Sequence, residues 1–187
     1  MSHGGSILTG IHKNLHPVYI SGGEDEVEIL VVQAKIGTYN CRFINGYGPQ
    51  EYQKIEDRIK FYARLEQEVI NAQMFNNLIC IEMDANAKLG PDMIKSDPHP
   101  RSGNGDLLIA VCERNNLVIC NAADLCQGVI TRQRVTVSGT ERSVLDYFIL
   151  CQEMFTFLSS IKIDEACSGE IFEKEGKVRV TESDHKI

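Results

Sequence analysis

Two hydrophobic periodicities alternate along the chain and predict a mixture of strands and helices. Runs rich in β-branched and aromatic residues predict strands at "SILTGIH", "PVYIS", "VEILVVQAKIG", "YNCRFINGYG", "NNLICIEMD" and "LVICNA". The segment 128–151 predicts two further strands around an "SGTE" turn. Strands therefore account for most of the predicted structure.

Two segments change to a helical period. In residues 49–73 apolar side chains recur at three- and four-residue steps, which predicts an amphipathic helix packed through Ile55, Ile59, Tyr62, Leu65, Val69 and Ile70. Residues 104–116 predict a second helix, packed through Leu107, Leu108, Val111 and Cys112. We therefore expect one α+β domain over residues 1–187, most simply a two-sheet sandwich flanked by helices.

Composition narrows the class of protein. The 187 residues carry a net charge of −7, which argues against a dedicated DNA-binding module but is compatible with a phosphodiesterase whose carboxylates hold a cation. No apolar stretch approaches the roughly 20 residues of a membrane span, and the N-terminus does not resemble a signal peptide. The seven cysteines include no CxxC pair, which indicates free thiols in a reducing compartment, nuclear or cytoplasmic, and no zinc site.

Polar side chains able to do chemistry stand at the ends of three apolar strands, or inside them. Asp84 and Asn86 close "ICIEMDAN", and strand alternation would point both side chains the same way. Asp146 interrupts "RSVLDYFIL", where an ionised carboxylate needs a partner. Asp184 and His185 follow "VRVT", and His185 is the one late histidine able to pair with Asp146. Each residue alone is compatible with a turn, a cap or a solvated position, but together they indicate a site that activates water or holds a divalent cation.

Two further features bear on phosphate recognition. Tyr47 stands at another strand end, in "INGYGPQ", where its hydroxyl could bond a phosphate oxygen or serve only the turn. Arg132, Arg134 and Arg142 in "TRQRVTVSGTER" form a modest basic stretch, which fits either a nucleic-acid contact or a solvated hairpin.

The segments "YGPQ", "MDANAKLG", "SVLDYFIL" and "ESDH", in this order, resemble the endonuclease/exonuclease/phosphatase superfamily, which includes apurinic endonucleases and DNase I. The likeness is strongest to the endonuclease domain of LINE-type (non-LTR) retrotransposons and covers nearly the whole chain. It implies a four-layer α/β/β/α sandwich (DNase I-like) and hydrolysis of DNA phosphodiester bonds with Mg²⁺ or Mn²⁺. It also implies that Tyr47 lines the phosphate pocket.

The resemblance assigns roles to the five residues at the strand ends. Asp84 would position or deprotonate the attacking water, and Asn86 would help hold the phosphate. His185 would contact the scissile phosphate with Asp146 as its partner, and Asp184 would lie at the metal site.

The sequence also departs from the family pattern. The family opens with a strand carrying an asparagine and another carrying the principal metal-binding glutamate, and the chain has neither before "GGSILTGI". Met83 replaces the glycine of the Gly-Asp step, and Glu82 lies too deep in its strand to replace the missing glutamate. We therefore expect weak metal affinity, a sandwich incomplete at its N-terminus, and a homo-oligomer in which a second copy covers the open sheet edge.

Two functions from different classes remain open. One is a retroelement-type DNA endonuclease domain, and the other is a non-catalytic remnant of the same fold that binds nucleic acid or a protein partner. A phosphatase or phosphodiesterase acting on a small molecule or lipid is a third, disfavoured by the retroelement-like connecting segments.

Overall fold

The computed structural model describes residues 9–22, 27–137, 139–165, 172–174 and 177–179. The strands are β1 (Val18–Gly22), β2 (Ile29–Ile36), β3 (Tyr39–Tyr47), β4 (Leu78–Asp84), β5 (Leu117–Ile119), β6 (Cys126–Gln127), β7 (Arg132–Thr136), β8 (Gly139–Ser143), β9 (Asp146–Cys151), β10 (Ile161–Lys162), β11 (Phe172–Lys174) and β12 (Lys177–Arg179). The helices are α1 (Ile55–Met74), α2 (Gly103–Arg114) and α3 (Gln152–Phe155). Within these ranges no helix is long and apolar enough to cross a membrane.

Six strands form one mixed sheet in the order β1-β2-β3-β4-β9-β5. The β3–β4 pair is parallel, because the chain crosses over through α1, and the other neighbours are antiparallel. The carboxyl ends of β3 and β4 therefore lie next to each other at one end of the strands, where antiparallel β9 begins. Three two-stranded pairs, β6–β10, β7–β8 and β11–β12, complete the β structure described.

Strand alternation gives the six-stranded sheet two different faces. On β4, Ile79, Ile81 and Met83 belong to the main hydrophobic core together with residues of α1 and α2. Cys80 belongs to a separate hydrophobic cluster on the opposite face of the sheet. By strand alternation Asp84 lies on this second face as well. At the far end of that second face lies an apolar groove of about 600 Å³, lined in part by Ile36, Tyr39, Leu78, Phe148, Met154 and Phe157.

Helix α1 begins later than the sequence predicts and packs through a face that only partly matches the predicted one. It starts at Ile55 because residues 50–53 form a turn closed by the Gln53 N–H bonding to the Gln50 carbonyl at 3.0 Å. Of the six residues predicted to pack, Tyr62, Leu65 and Val69 are buried, but Ile55, Ile59 and Ile70 are between 38% and 50% exposed. The other positions buried on this helix are Phe61, Glu68 and Ala72.

Glu68 lies on the packed side of α1 although it is charged, because its carboxylate has two polar partners. Its carboxylate oxygen Oε1 is 2.7 Å from Arg64 Nη2 and accepts a hydrogen bond of 2.9 Å from the hydroxyl of Ser21 on β1. A carboxylate that is paired with a cation and accepts a hydrogen bond can be buried. The period of apolar residues cannot predict such a position, because it assigns only apolar side chains to the packed face.

Three strand predictions are wrong in detail. The predicted strand "LVICNA" ends at Ile119, and a 3₁₀ turn follows at Cys120–Ala122. The described part of "SILTGIH", residues 9–12, is not in a strand, and a short 3₁₀ turn follows at Lys13–Leu15. The segment 128–151 forms three strands rather than two, because the second predicted strand is interrupted at the buried residues Val144 and Leu145. The hairpin β7–β8 is thereby separated from β9, which joins the main sheet.

Candidate active site

Three of the residues predicted from the sequence lie side by side across three adjacent strands. Tyr47 on β3 is the register partner of Asp84 on β4, and Asp84 is the register partner of Asp146 on β9. Register partners in a sheet project their side chains to the same face. The crossover connection therefore brings residues that are far apart in sequence together on the second face, at one end of the strands.

The backbone around Asp84 fixes the direction of its carboxylate. Oδ1 accepts a hydrogen bond of 3.0 Å from the N–H of Asn86, and the Asp84 carbonyl accepts one of 2.7 Å from the N–H of Gly48. The next N–H, of Ala85, donates to the Leu145 carbonyl at 2.8 Å. Asp84 is thus tied to the exit of β3 and to the entrance of β9.

Asn86 does not continue the alternation of β4, so the prediction that its side chain and that of Asp84 point the same way is wrong. The strand ends at Asp84, and Asn86 has a φ of 46°, a left-handed conformation that asparagine tolerates well. Its buried side chain donates through Nδ2 to the Gly48 carbonyl at 2.8 Å. Asn86 therefore joins the loop after β4 to the loop after β3.

Gly48 allows these two loops to approach closely. A Cβ atom at this position would lie 2.4 Å from the Ala85 carbonyl oxygen, which is backbone and cannot move aside cheaply. Beside it, the hydroxyl of the half-buried Tyr47 accepts a long hydrogen bond of 3.4 Å from Gln50 Nε2.

Asp146 is only 3% exposed, and two side chains hold its backbone. Thr131 Oγ1 accepts hydrogen bonds from the N–H groups of Leu145, at 2.9 Å, and Asp146, at 3.1 Å. Asn121 Nδ2 donates to the Asp146 carbonyl at 3.1 Å, and Asn121 Oδ1 accepts from the Phe148 N–H at 2.9 Å. Since β5 ends at Ile119, the Asn121 amide takes the place of the missing backbone partner.

Two buried tyrosines hold the loop that follows Asp84. The Tyr62 hydroxyl donates to the Ala85 carbonyl at 3.0 Å, and the Tyr147 hydroxyl lies 2.9 Å from the Ala87 carbonyl. Burial raises the pKa of both hydroxyls, so both remain protonated donors at neutral pH. Neither tyrosine is distinguishable from an ordinary core aromatic in the sequence.

Glu28 is a further acidic residue of this region that the sequence reasoning missed. Its carbonyl accepts the Tyr47 N–H at 3.0 Å, which extends the row of register partners to the residue before β2. One carboxylate oxygen of Glu28 is buried without a hydrogen-bond partner, and burial raises the pKa of this carboxyl. The available signal was weak, a glutamate immediately before an apolar run.

The three predicted arginines lie on the hairpin β7–β8. Arg132 pairs with Ser143, Arg134 with Glu141, and Arg142 with Gln133. Alternation therefore places Arg132 and Arg134 on one face of the hairpin and Arg142 on the other. The Arg142 carbonyl lies 2.8 Å from His99 Nε2, which links the hairpin to the loop between β4 and α2.

Asp184 and His185 lie outside the described residues. The pairing of His185 with Asp146 and the metal role of Asp184 therefore stay predictions. In the ranges that the structure describes, no three His, Cys, Asp or Glu side chains form a group able to hold a metal ion.

No protein-family model and no characterised protein sequence matches the chain. Solved structures do. The endonuclease domain of TRAS1, a telomere-specific non-LTR retrotransposon, is 20% identical with a TM-score of 0.51, over 68% of this chain and 52% of that one. A 3′-5′ exonuclease from Neisseria meningitidis is 14% identical with a TM-score of 0.60, over 83% and 62%. An endonuclease/exonuclease/phosphatase family protein from Bacteroides thetaiotaomicron is 13% identical with a TM-score of 0.52, over 84% and 52%.

These similarities confirm the fold predicted from the sequence. The chain has a DNase I-like α+β fold, that of the endonuclease/exonuclease/phosphatase proteins. It spans between 52% and 62% of the length of the three solved structures.

Proposed function

We propose that this chain, which has the fold of the endonuclease/exonuclease/phosphatase proteins, is a retroelement-type endonuclease domain that hydrolyses phosphodiester bonds in DNA. The row formed by Tyr47, Asp84 and Asp146 is the observation that carries the proposal. Two carboxylates on facing positions of adjacent strands destabilise a sheet by repulsion, so this placement favours a chemical role over a structural one.

The similar structures support DNA as the substrate class. One of them is a retrotransposon endonuclease domain, and another is a Neisseria 3′ phosphatase bound to a product DNA hairpin, with a TM-score of 0.58. Arg132, Arg134 and Arg142 offer phosphate contacts on both faces of the hairpin β7–β8.

In the proposed reaction the oxygen of water bonds to phosphorus while the bond from phosphorus to one deoxyribose oxygen breaks, and the released oxygen takes a proton from solvent. Asp84 orients the attacking water and accepts its proton, because its carboxylate is already held in one direction by the Asn86 N–H. The Tyr47 hydroxyl donates to a phosphate oxygen beside it. Asn86 contributes by fixing this loop, in addition to the phosphate contact that the resemblance implies. Asp146 is assigned to His185, which would contact the scissile phosphate.

The Mg²⁺ or Mn²⁺ implied by the resemblance does not fit the described residues taken alone, because they offer no group of three ligands. Asp184, the proposed metal residue, lies outside the ranges that the structure describes. Weak metal affinity therefore stays a prediction, which a titration of either cation in the assay below would measure.

The test is nicking of supercoiled plasmid by the purified chain with Mg²⁺ or Mn²⁺, against a reaction containing EDTA. We expect nicking to be lost in Asp84→Asn and Asp146→Asn, which remove a charge but keep the size of the side chain. Asp184→Ala and His185→Ala should lose it as well. Glu82→Gln is the matched control, because Glu82 is an exposed carboxylate on the same strand and face, two residues from Asp84.

Nicking that persists in Asp84→Asn and Asp146→Asn would refute these roles. A folded parent chain that does not nick at high concentration would refute the proposed activity. Circular dichroism of each variant separates these outcomes from a failure to fold.

A non-catalytic domain that binds nucleic acid or a protein partner is the second candidate. The absence of a three-ligand group within the described ranges and the arginines of the hairpin favour it. Under this alternative the parent would bind labelled DNA in fluorescence anisotropy without nicking it, and Arg134→Gln would weaken that binding.

The predicted homo-oligomer also stays a prediction. Light scattering of the chain as it elutes from a size-exclusion column would measure its oligomeric state.

A further inference from the structure

One fully buried side chain joins the two loops that follow the strands carrying Tyr47 and Asp84. Asn104, in the first turn of α2, is 0% exposed. Its Nδ2 donates to the Pro49 carbonyl at 2.7 Å and to the Asn86 carbonyl at 3.0 Å. Pro49 lies two residues after Tyr47, and the Asn86 N–H bonds the Asp84 carboxylate. Asn104 therefore spans the exit of β3 and the exit of β4.

The orientation of the Asn104 amide follows from its partners. Its Oδ1 accepts a hydrogen bond of 2.7 Å from Arg58 Nε, and arginine can only donate. The two carbonyls on the other side can only accept, so Nδ2 must face them. Both Nδ2 donors are used and Oδ1 accepts from arginine, which leaves one orientation of the amide rather than two.

Arg58 is itself held in place. Its Nη2 is 2.7 Å from Glu51 Oε1, and Glu51 also accepts the N–H groups of Gly103, at 3.0 Å, and Asn104, at 3.1 Å. Glu51 belongs to the loop between β3 and α1, the same loop whose Pro49 carbonyl accepts from Asn104. The hydrogen bonds of Asn104, Arg58 and Glu51 therefore begin and end on this loop. Arg58 thereby connects α1 to the same arrangement.

The Asn104 side chain is not needed to begin α2. Ser102 is the N-cap residue, and its hydroxyl accepts the Gly105 N–H at 3.2 Å, while Glu51 accepts the two preceding N–H groups. The amide of Asn104 instead points away from the helix to loop carbonyls 55 and 18 residues away in the chain.

We propose that Asn104 is a positioning residue that holds the loop after β3 against the loop after β4 and thereby keeps the Asn86 N–H on the Asp84 carboxylate. Its catalytic consequence rests on the proposed function, but its structural consequence does not. Removal of the two Nδ2 donors frees the Pro49 and Asn86 carbonyls, and the loops then separate without loss of the sheet. The hydrogen bond from the Gly48 N–H to the Asp84 carbonyl opens first, because it joins the exits of β3 and β4. The Asn86 N–H then loses its bond to the Asp84 carboxylate, because the loop after β4 is no longer held by Asn104.

The test compares Asn104→Asp with Asn115→Asp. Asn104→Asp keeps the size and the acceptor for Arg58 but loses both donors. Asn115 is the matched control, because it is buried at the other end of α2 and its Nδ2 donates to the Val111 carbonyl at 2.8 Å and to Glu66 at 3.0 Å. Both substitutions therefore remove two amide donors from a buried site, one in the first turn of α2 and the other at its C-cap residue.

The first readout is amide hydrogen exchange by NMR. We expect the exchange rates of the Gly48 and Asn86 amides to rise at least tenfold in Asn104→Asp but not in Asn115→Asp. The rates of the Ile81 and Ile149 amides, which lie in the sheet, serve as the reference for any general loss of stability. Exchange rates at Gly48 and Asn86 that stay at the parental values in Asn104→Asp, or that rise equally in both variants, would overturn the proposal. If Asn104→Asp does not fold, Arg58→Lys removes the Nε donor to Asn104 and should accelerate the same two amides.

The second readout is nicking. The rate at saturating plasmid should fall at least tenfold in Asn104→Asp with the plasmid KM within twofold of the parent, while Asn115→Asp keeps both values. An unchanged rate would overturn the catalytic consequence. A parent chain without activity would refute the proposed function, and the exchange readout would still decide whether Asn104 positions the loops.

Discussion

Thr131 offers a direct measure of how the entrance of β9 is held. Its hydroxyl is the acceptor for two consecutive N–H groups, those of Leu145 and Asp146, and the residue is 1% exposed. Thr131→Val replaces the hydroxyl by a methyl group of the same shape, so packing is preserved. Both N–H groups then remain buried without a partner.

The magnitude follows from the count of lost partners. Each buried donor left unsatisfied costs about 1–3 kcal/mol, so two donors with some relaxation should lower the free energy of unfolding by about 3 kcal/mol. This loss is large against the roughly 5–15 kcal/mol of total stability of a typical domain. Thr131→Ser keeps the acceptor and removes one methyl group, which should cost about 1 kcal/mol.

The assay is urea unfolding followed by circular dichroism, with the slope against urea compared between variants. We expect Thr131→Val to be clearly less stable than Thr131→Ser at an unchanged slope, and to nick plasmid more slowly. A valine variant as stable as the serine variant would refute the reasoning, since it would mean that the two N–H groups do not depend on the hydroxyl.

Two further predictions test packing and pH dependence. Leu65→Ala should lower the free energy of unfolding by about 2–5 kcal/mol, whereas Ile59→Ala, on the half-exposed side of α1, should cost less than about 1 kcal/mol, and equal losses in urea unfolding would contradict the packed face described. The Ile130 and Val129 N–H groups hold the pKa of Glu165 below its ordinary value of 4.5, so its stabilisation is present above that pH and is lost as the pH falls through the lower folded pKa. The stability difference between the parent and Glu165→Gln should therefore shrink between neutral pH and about pH 3, and a constant difference would contradict this linkage.

The sequence by itself determined the main elements and the chemistry-bearing residues. Runs rich in β-branched and aromatic residues located β2, β3 and β4, and the helical period located α1 and α2, because these patterns depend on neighbours within a few residues. Polar residues at the ends of apolar strands or inside them identified Tyr47, Asp84 and Asp146 without knowledge of the fold. The four motifs in order identified the fold, which the solved structures confirm.

Only the tertiary structure decided how those residues are held. The face that α1 buries depends on where the sheet lies, so Ile59 and Ile70 satisfy the period and still remain exposed. Asn104 and Thr131 look like ordinary polar residues in the sequence, since their partners lie 55 and 14 residues away in the chain. A hydrogen bond between distant segments leaves no periodic trace, because it depends on the crossover that brings the strand ends together.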